Sequence, residues 1–164
     1  MYIHDMSRDA DIENLSHRLT LIGATCLGRA ARRTANLITR VYNHRLAPMG
    51  LEVTQFSILS TIALGRAKSA SELADLVGVE RSTLARNLDR LIDAGLVTST
   101  KGDGRRLIYE LTSRGAEMIE RALPLWKLAQ DELVEQLPHS GDDTIRDDFR
   151  LLRRAAKAVL AKAS

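Results

Sequence analysis

The chain has 164 residues, of which 45% are hydrophobic and only 4% aromatic. A domain of this length buries roughly 70% of the surface of its unfolded chain, so folding requires neither a disulfide nor a metal. The single cysteine cannot form an internal bridge, and no leader-like or membrane-length apolar segment is present, so we expect a cytoplasmic protein and neither secretion nor membrane insertion. The low aromatic content favours a mostly helical fold.

The charge is unevenly distributed along the chain. The net charge of +3 and the pI near 9.3 hint only mildly at a polyanionic partner. However, residues 14–51 contain no acidic side chain, whereas residues 131–150 carry seven acids against two arginines. The alternative interpretation is that these are solvated helix faces that happen to differ in sign.

The first long element is predicted after a polar leader. Residues 1–13 show no apolar period and are expected to be flexible. From about Arg18 to Leu46, apolar residues recur at spacings of three, four or seven, which predicts one long amphipathic helix ended by Pro48 and Gly50. A helix of this length exceeds what one small core can cover.

Three helices are predicted next, two of them joined by a tight turn. The first starts with Thr54 as its cap and stops at Gly65. Ser69 and Glu72 have the spacing of a capping box, which starts the second helix. Gly78 follows two turns later and permits the left-handed conformation that reverses the chain.

The third helix and the segment after it complete a compact motif. The helix is predicted from Arg81 to Ala94, with Gly95 as its stop and with inward-facing leucines at positions 84, 88 and 91. Two β-prone runs, 96–100 and 106–111, are joined by a glycine-containing turn, which predicts a hairpin with a charged tip.

Two further helices are predicted at the end of the chain. Thr112 caps the first, which carries Pro124 as a candidate bend and ends before Pro138. Ser140 and Asp143 open the last helix. The sequence shows no repeat and no low-complexity linker.

A helix-turn-helix followed at once by a hairpin is the winged helix arrangement, in which the second helix enters a major groove and the hairpin reaches a minor groove. The outward-facing residues predicted for the second helix of this motif carry guanidinium, hydroxyl and amide groups that can bind bases and phosphates. They are Arg81, Ser82, Thr83, Arg86, Asn87 and Arg90. Arg105 suits insertion into a narrow minor groove, with Asp103 close enough to orient it. Ser69 and Arg106 complete the predicted DNA contacts. The alternative is a solvated helix face with local pairing such as Arg86 with Asp89.

The segments that carry the predicted helix-turn-helix and hairpin resemble those of the MarR family of bacterial transcription regulators. The similarity lies in LEVTQFSIL at 51–59, in SASELADLVGVERSTLARNLDRLIDAGLV at 69–97 and in GDGRRLIYELTSRG at 102–115. The wing aspartate and arginine of the family map onto Asp103 and Arg105, although Gly104 stands where a further basic residue is common. The resemblance implies a homodimer intertwined through its first and last helices.

In domain terms, the resemblance makes 1–164 a single MarR-like chain. Residues 18–50 and 112–162 are then the dimerisation segments, and residues 54–111 form the winged helix lobe.

Two modes of regulation follow from the resemblance, and both stay open. Some relatives sense oxidants through a cysteine in the first helix, which makes Cys26 a candidate, although a small core residue is the simpler interpretation. Other relatives bind small aromatic acids between the dimerisation helices and the DNA-binding lobe. The candidate residues for such a pocket are Arg29, Arg33, Arg40 and His44 as carboxylate partners and Phe56, Met118 and Trp126 as an apolar wall. These arginines could instead be solvated, pair with acids or touch the DNA backbone.

We find no arrangement typical of catalysis, because the four histidines are scattered and there is no zinc-spaced cluster, nucleophile elbow or phosphate-binding glycine loop. We expect no enzyme activity, cofactor or metal. The predicted function is a homodimeric DNA-binding transcriptional regulator on a pseudo-palindromic operator, acting as a repressor released by an aromatic acid or thioester. The alternatives are redox regulation through Cys26 and non-specific DNA coating.

Overall fold

The computed structural model describes residues 6–67, 69–102, 107–138 and 141–163. In these ranges the chain is mostly helical with one antiparallel hairpin, which confirms the predicted fold class. The elements are α1 (Met6–Thr25), α2 (Leu27–Leu46), α3 (Val53–Ala63), α4 (Ala70–Val77), α5 (Arg81–Asp93), β1 (Val97–Lys101), β2 (Leu107–Leu111), α6 (Ser113–Glu135) and α7 (Gly141–Ala163).

The chain divides into two units, Met1–Arg40 and Val41–Ser164, and the division falls inside α2. No change of composition marks this position in the sequence. Among the described residues, every buried hydrophobic side chain lies in the second unit. In the first unit, by contrast, large apolar side chains are exposed: Ile12, Leu15, Leu19, Ile22, Leu27 and Leu37.

The first unit differs from the sequence prediction in two ways. Residues 6–13, expected to be part of a flexible leader, form the first turns of α1. The predicted single helix is interrupted at Cys26, where the backbone nevertheless keeps helical hydrogen bonds to Ile22 (3.0 Å) and from Ala30 (3.1 Å). The amide of Arg29 donates to the Cys26 sulfur at 3.4 Å, so the thiol acts as a side-chain cap at the start of α2. Glycines on both sides of Cys26, which form helices poorly, explain why the interruption falls here.

The start of α3 also corrects the prediction, because its cap is Glu52 and not Thr54. The backbone is extended at Glu52, whose amide donates to the Gln55 side-chain oxygen at 3.0 Å. The amide of Val53 donates to the side-chain oxygen of Asn43 at 2.7 Å. Two of the amides that a helix start leaves without intrahelical partners are thereby satisfied.

The helix-turn-helix forms as predicted. The hydroxyl of Ser69 accepts the Glu72 amide at 3.1 Å and starts α4. Gly78 adopts a φ of +79°, and its amide closes the end of α4 on the Ala74 carbonyl at 2.8 Å. This left-handed conformation suits glycine, which has no Cβ to clash with the backbone. The leucines of α5 at positions 84, 88 and 91 are buried in the core of the second unit.

The hairpin is joined firmly to α6. β1 and β2 pair antiparallel with Val97 opposite Leu111. The hydroxyl of Thr112 donates to the Gly95 carbonyl at 2.7 Å and accepts the Gly115 amide at 2.9 Å, which caps α6 as predicted. Gly115 approaches the hairpin so closely that a Cβ at this position would overlap the Leu96 carbonyl oxygen.

Within the second unit, α6 is also tied to the end of α2. The Tyr42 hydroxyl donates to the side-chain oxygen of Gln130, and the Arg45 guanidinium pairs with the Glu132 carboxylate. α6 is one continuous helix that includes Pro124.

α7 follows from Gly141; its predicted opening residue Ser140 lies outside the described residues. Across the helices that the structure describes, none combines the length and apolarity needed to cross a membrane.

Candidate nucleic-acid interface

One face of α5 presents a cluster of polar and cationic side chains to solvent. The side chains of Arg81, Ser82, Arg86 and Arg90 are exposed, as the sequence predicted, and Thr83 is half-buried. Within the described part of the chain, neither Arg86 nor Arg90 forms an ion pair, so the predicted alternative pairing of Arg86 with Asp89 is not seen. Their charges are therefore not neutralised by a neighbouring carboxylate, which leaves them available to phosphates or base edges.

Two of these side chains are oriented by hydroxyl groups. The Arg81 guanidinium donates to the Ser71 hydroxyl on α4 at 2.8 Å, and the Arg86 guanidinium donates to the Thr83 hydroxyl at 3.3 Å. An arginine has five donors, so one hydrogen bond restricts its position without exhausting its capacity. The face of α5 is thus partly organised before any partner arrives.

Asn87 corrects the prediction, because it does not face outward. It is only 8% exposed, its amide nitrogen donates to the Thr83 carbonyl at 2.9 Å, and its side-chain oxygen has no partner among the described residues. The spacing i, i+3 and i+7 places Asn87 on the same face as Leu84 and Leu91. The sequence shows the same spacing, but the prediction of a base-reading role rests on the chemical type of asparagine and not on its position in the helix.

The other predicted DNA contacts divide between described and undescribed positions. Ser69 is half-buried at the start of α4, where its oxygen serves as the helix cap. Asp103, Arg105 and Arg106 lie outside the described residues, so their roles stay predictions. The structure does describe the base of the hairpin up to the Lys101–Leu107 pair.

Tyr109 is a residue of this region that the sequence analysis did not single out. It lies in β2 and packs against the core of the second unit. Burial, and secondarily the negative charge of Asp89 on α5, raises the pKa of the Tyr109 phenol above its ordinary value of 10.0. Tyr109 therefore stays neutral at physiological pH, as suits a ring packed between the hairpin and the helix-turn-helix.

The second unit also contains an open groove of about 430 Å³ formed by α3, α4 and α6. Its lining is apolar or hydroxyl-bearing: Phe56, Ser57, Ser60, Thr61, Leu76, Val77, Leu123 and Trp126. At one wall, Trp126 stacks between two other rings, with centroid distances of 6.2 Å to Phe56 and 6.3 Å to Tyr42.

The predicted effector residues fall in different places. Arg29, Arg33 and Arg40 are exposed in the first unit. In the second unit, Phe56 and Trp126 come together in the groove wall, Met118 packs against the core and His44 is exposed. Among the described residues, no three His, Cys, Asp or Glu side chains gather as a metal site requires.

Comparison with known proteins identifies the family to which this chain is similar. The sequence model of the MarR family matches residues 49–106, which covers α3, the helix-turn-helix and β1 and ends before β2. The multiple antibiotic resistance protein MarR of Escherichia coli K12 is 30% identical over 97 residues, or 58% of this chain and 67% of that protein. The chain belongs to the MarR family of transcription regulators.

Solved structures of MarR-family regulators resemble this chain over most of its length. The Mycobacterium tuberculosis transcriptional regulator MosR, solved in complex with DNA, is 37% identical and matches with a TM-score of 0.74 over 82% of this chain and 98% of that chain. A second M. tuberculosis MarR-family protein, solved with p-aminosalicylic acid, is 25% identical with a TM-score of 0.58 over 79% of this chain and 98% of that chain.

Proposed function

We propose that this MarR-family chain represses transcription as a homodimer that places α5 in the major groove of a pseudo-palindromic operator. The observation that carries the proposal is the solvent-facing side of α5, where Arg86 and Arg90 have no acidic partner among the described residues. The DNA complex of MosR supports the same use of this fold. Arg86 and Arg90 contact guanine edges or phosphates, while Ser82 and Thr83 contribute hydroxyl contacts.

The proposed wing contact is separate from the contact of α5. Arg105 enters the minor groove beside the major-groove site, Asp103 orients it and Arg106 contacts the backbone. Two antiparallel strands and the Thr112 contacts fix the base of this hairpin relative to α5. Loss of Arg105 is therefore expected to weaken binding at the flanks of the site rather than at the bases read by α5.

The dimer is proposed from apolar side chains that the chain itself leaves uncovered. On α7, Phe149 and Leu152 are 40% exposed, and Val159 is 67% exposed, at a helical spacing. A second copy would cover this stripe through a two-fold interface, and it would also present two copies of α5 related by the same symmetry. In domain terms, we propose 18–50 and 112–162 as dimerisation segments and 54–111 as the DNA-binding lobe.

The test is DNA affinity by fluorescence anisotropy, with an operator obtained by selection from random duplexes. Arg86→Ala is expected to weaken specific binding by roughly 1 to 3 kcal/mol and to relax preference at one base position. Arg121→Ala, an exposed arginine on α6, is the matched control and should bind like the wild type. Equal wild-type affinity for selected and scrambled duplexes at physiological salt would instead support non-specific DNA coating.

Release of the repressor by a small molecule is the second part of the proposal. The p-aminosalicylic acid complex of the M. tuberculosis relative supports an aromatic acid as effector. In this chain Arg29, Arg33, Arg40 and His44 are the proposed carboxylate partners. An effector must bind the DNA-incompetent state better than the competent one, since equal affinity for both shifts nothing.

Redox regulation through Cys26 is the second candidate function, and one contact favours it. The Cys26 sulfur caps the start of α2 by accepting the Arg29 amide, so oxidation of the sulfur would alter that cap. The test compares DNA affinity of the wild type and Cys26→Ser with and without peroxide. If peroxide abolishes DNA binding by the wild type but not by Cys26→Ser, the redox function is established. If peroxide changes the DNA affinity of both proteins equally, the redox function is excluded.

A further inference from the structure

α2 carries a cationic face, which we define by four exposed arginines at helical spacing: Arg29, Arg32, Arg33 and Arg40. Residues 14–51 contain no acidic side chain, so α2 has no carboxylate of its own to pair with them. Among the described residues, none of these guanidiniums forms an ion pair. Arg29 and Arg33 are four residues apart, a spacing at which like charges repel and destabilise a helix. A polyanion bound to this face would remove that repulsion.

The acid-rich segment 131–150 offers this face only part of its negative charge. Three of the seven acids in the segment already pair with cations near them. The pairs are Asp131 with Lys127, Glu132 with Arg45 and Asp147 with Arg150. Nearly half of the negative charge of the segment is thus already used, which favours a partner for α2 outside the chain.

The cationic face is a straight row on the side of α2 that lies opposite its apolar residues. At about 100° per residue, Arg29, Arg33 and Arg40 lie within about 40° of one another around the helix axis. Leu27 and Ile38 lie about 160° and about 180° from Arg29. A second copy that covers the apolar side of α2, as we propose for the dimer, therefore leaves the cationic face exposed to solvent.

The chemistry of this face matches the phosphates of a nucleic acid. Guanidiniums bind phosphate oxygens in a bidentate manner, and the face contains arginine and no lysine. From Arg29 to Arg40 the row extends about 16 Å along the helix. A DNA duplex carries one negative charge per roughly 1.7 Å of its axis, so its backbone can contact the whole row. A small ligand instead needs a concave pocket, and a membrane would also require the apolar side of α2.

We propose that the cationic face of α2 is a second DNA-binding surface, which contacts the phosphate backbone regardless of base sequence. It lies wholly in the first unit, whereas α5 and its exposed arginines lie in the second unit. The inference goes beyond the proposed repressor function, because it requires neither an operator nor an effector. It also gives Arg29, Arg33 and Arg40 a role in the absence of any small molecule, which the proposed effector contact does not.

The test measures the affinity of the full-length chain for a scrambled duplex by fluorescence anisotropy over a range of salt concentrations, with no small molecule present. Each phosphate contact contributes about 0.9 to the slope of log affinity against log salt concentration. Replacing both Arg33 and Arg40 by Gln should therefore make the slope shallower by about 2 and weaken binding roughly tenfold at about 0.1 M salt. Glutamine has a helix propensity close to that of arginine, so α2 should stay folded.

Two matched variants separate phosphate contact from net charge and from folding. Replacing Arg121 and Arg154 by Gln removes the same charge from exposed positions on α6 and α7 and should leave duplex affinity close to that of the wild type. Replacing Arg33 and Arg40 by Lys keeps the charge and should keep most of the salt slope. The proposal is overturned if the α2 glutamine variant behaves like the control on α6 and α7. It is also overturned if that variant loses binding to phosphatidylglycerol vesicles while its duplex affinity is unchanged.

A background with Arg86→Ala and Arg90→Ala separates this proposal from the function of α5. Binding to the scrambled duplex should persist in this background and should still weaken when Arg33 and Arg40 are replaced by Gln. If it does so while the wild type prefers no selected sequence, the second surface is supported and the proposed operator function is contradicted. If the wild type binds an operator specifically and the α2 variant changes neither slope nor affinity, the second surface alone is wrong.

Discussion

α5 and α7 have similar amphipathic patterns but different surroundings. In α5 the apolar stripe of leucines is buried against α3, α4 and β1 of the same chain. In α7 the equivalent stripe, which includes Leu152 and Val159, is exposed. Periodicity alone therefore predicts a helix and its apolar face, but it does not say whether the covering surface belongs to the same chain.

The largest expected effect of a single change is in the core beneath α5. Leu91 is 2% exposed, so Leu91→Ala removes buried methyl groups and leaves a cavity in the second unit. We expect the free energy of unfolding to fall by about 2 to 5 kcal/mol, independently of protein concentration. Urea unfolding at two concentrations measures this. Leu151→Ala, on an exposed leucine of α7, is the control for the same truncation outside the buried core.

The corresponding change on α7 should act through association. Leu152→Asp places a charge in the apolar stripe that we propose a second copy covers. The dissociation constant of the dimer should therefore rise by a factor of roughly 100 or more. Light scattering over a range of micromolar concentrations measures the shift. Arg154→Asp, an exposed position on the opposite side of α7, introduces the same aspartate away from the stripe and serves as the control. A stable wild-type monomer at these concentrations would refute the dimer.

Asn87 provides a finer test, because it is a polar residue on the buried side of the DNA-facing helix. Its side-chain oxygen has no partner among the described residues, which costs stability in a buried position. We expect Asn87→Leu to leave the free energy of unfolding unchanged or to raise it by up to about 1 kcal/mol, with operator affinity unaltered. Loss of preference at one base position in this variant would mean that Asn87 reads DNA after all.

The smallest expected effect concerns Tyr109 at alkaline pH. A pKa raised by folding stabilises the protein below the unfolded pKa, and this contribution is lost as pH rises through the folded-state pKa. The wild type should therefore lose stability more steeply than Tyr109→Phe above about pH 10. Urea unfolding of both proteins from about pH 8 to about pH 11 is the measurement, and parallel curves would contradict the prediction.

Much of the helix-turn-helix could be predicted because its signals are local. Ser69, Gly78 and Gly95 act through caps and backbone conformation within a few residues of themselves, so the sequence alone locates the ends of α4 and α5. The leucines of α5 follow from spacing. The exposed arginines of the candidate interface were found in the same way.

The sequence prediction failed where contacts with distant parts of the chain determine the local structure. The cap of α3 depends on Glu52 and on Asn43, ten residues before Val53, so the local preference of Thr54 was misleading. Asn87 was judged by chemical type although its position was internal. The groove was predicted only in part. Phe56 and Trp126 were identified as an apolar wall, but the sequence does not show that the hydroxyl groups of Ser60 and Thr61 donate to backbone carbonyls of α3.

The junction at Thr112 and Gly115 has a mechanical consequence. The Thr112 hydroxyl bridges Gly95 and Gly115, and Gly115 leaves no room for a side chain against Leu96, so the hairpin base is held directly against the first turn of α6. A rotation of the first turn of α6 would therefore be passed directly to the base of the hairpin. Thr112 and Gly115 thus couple any movement of α6 to the hairpin of the DNA-binding lobe.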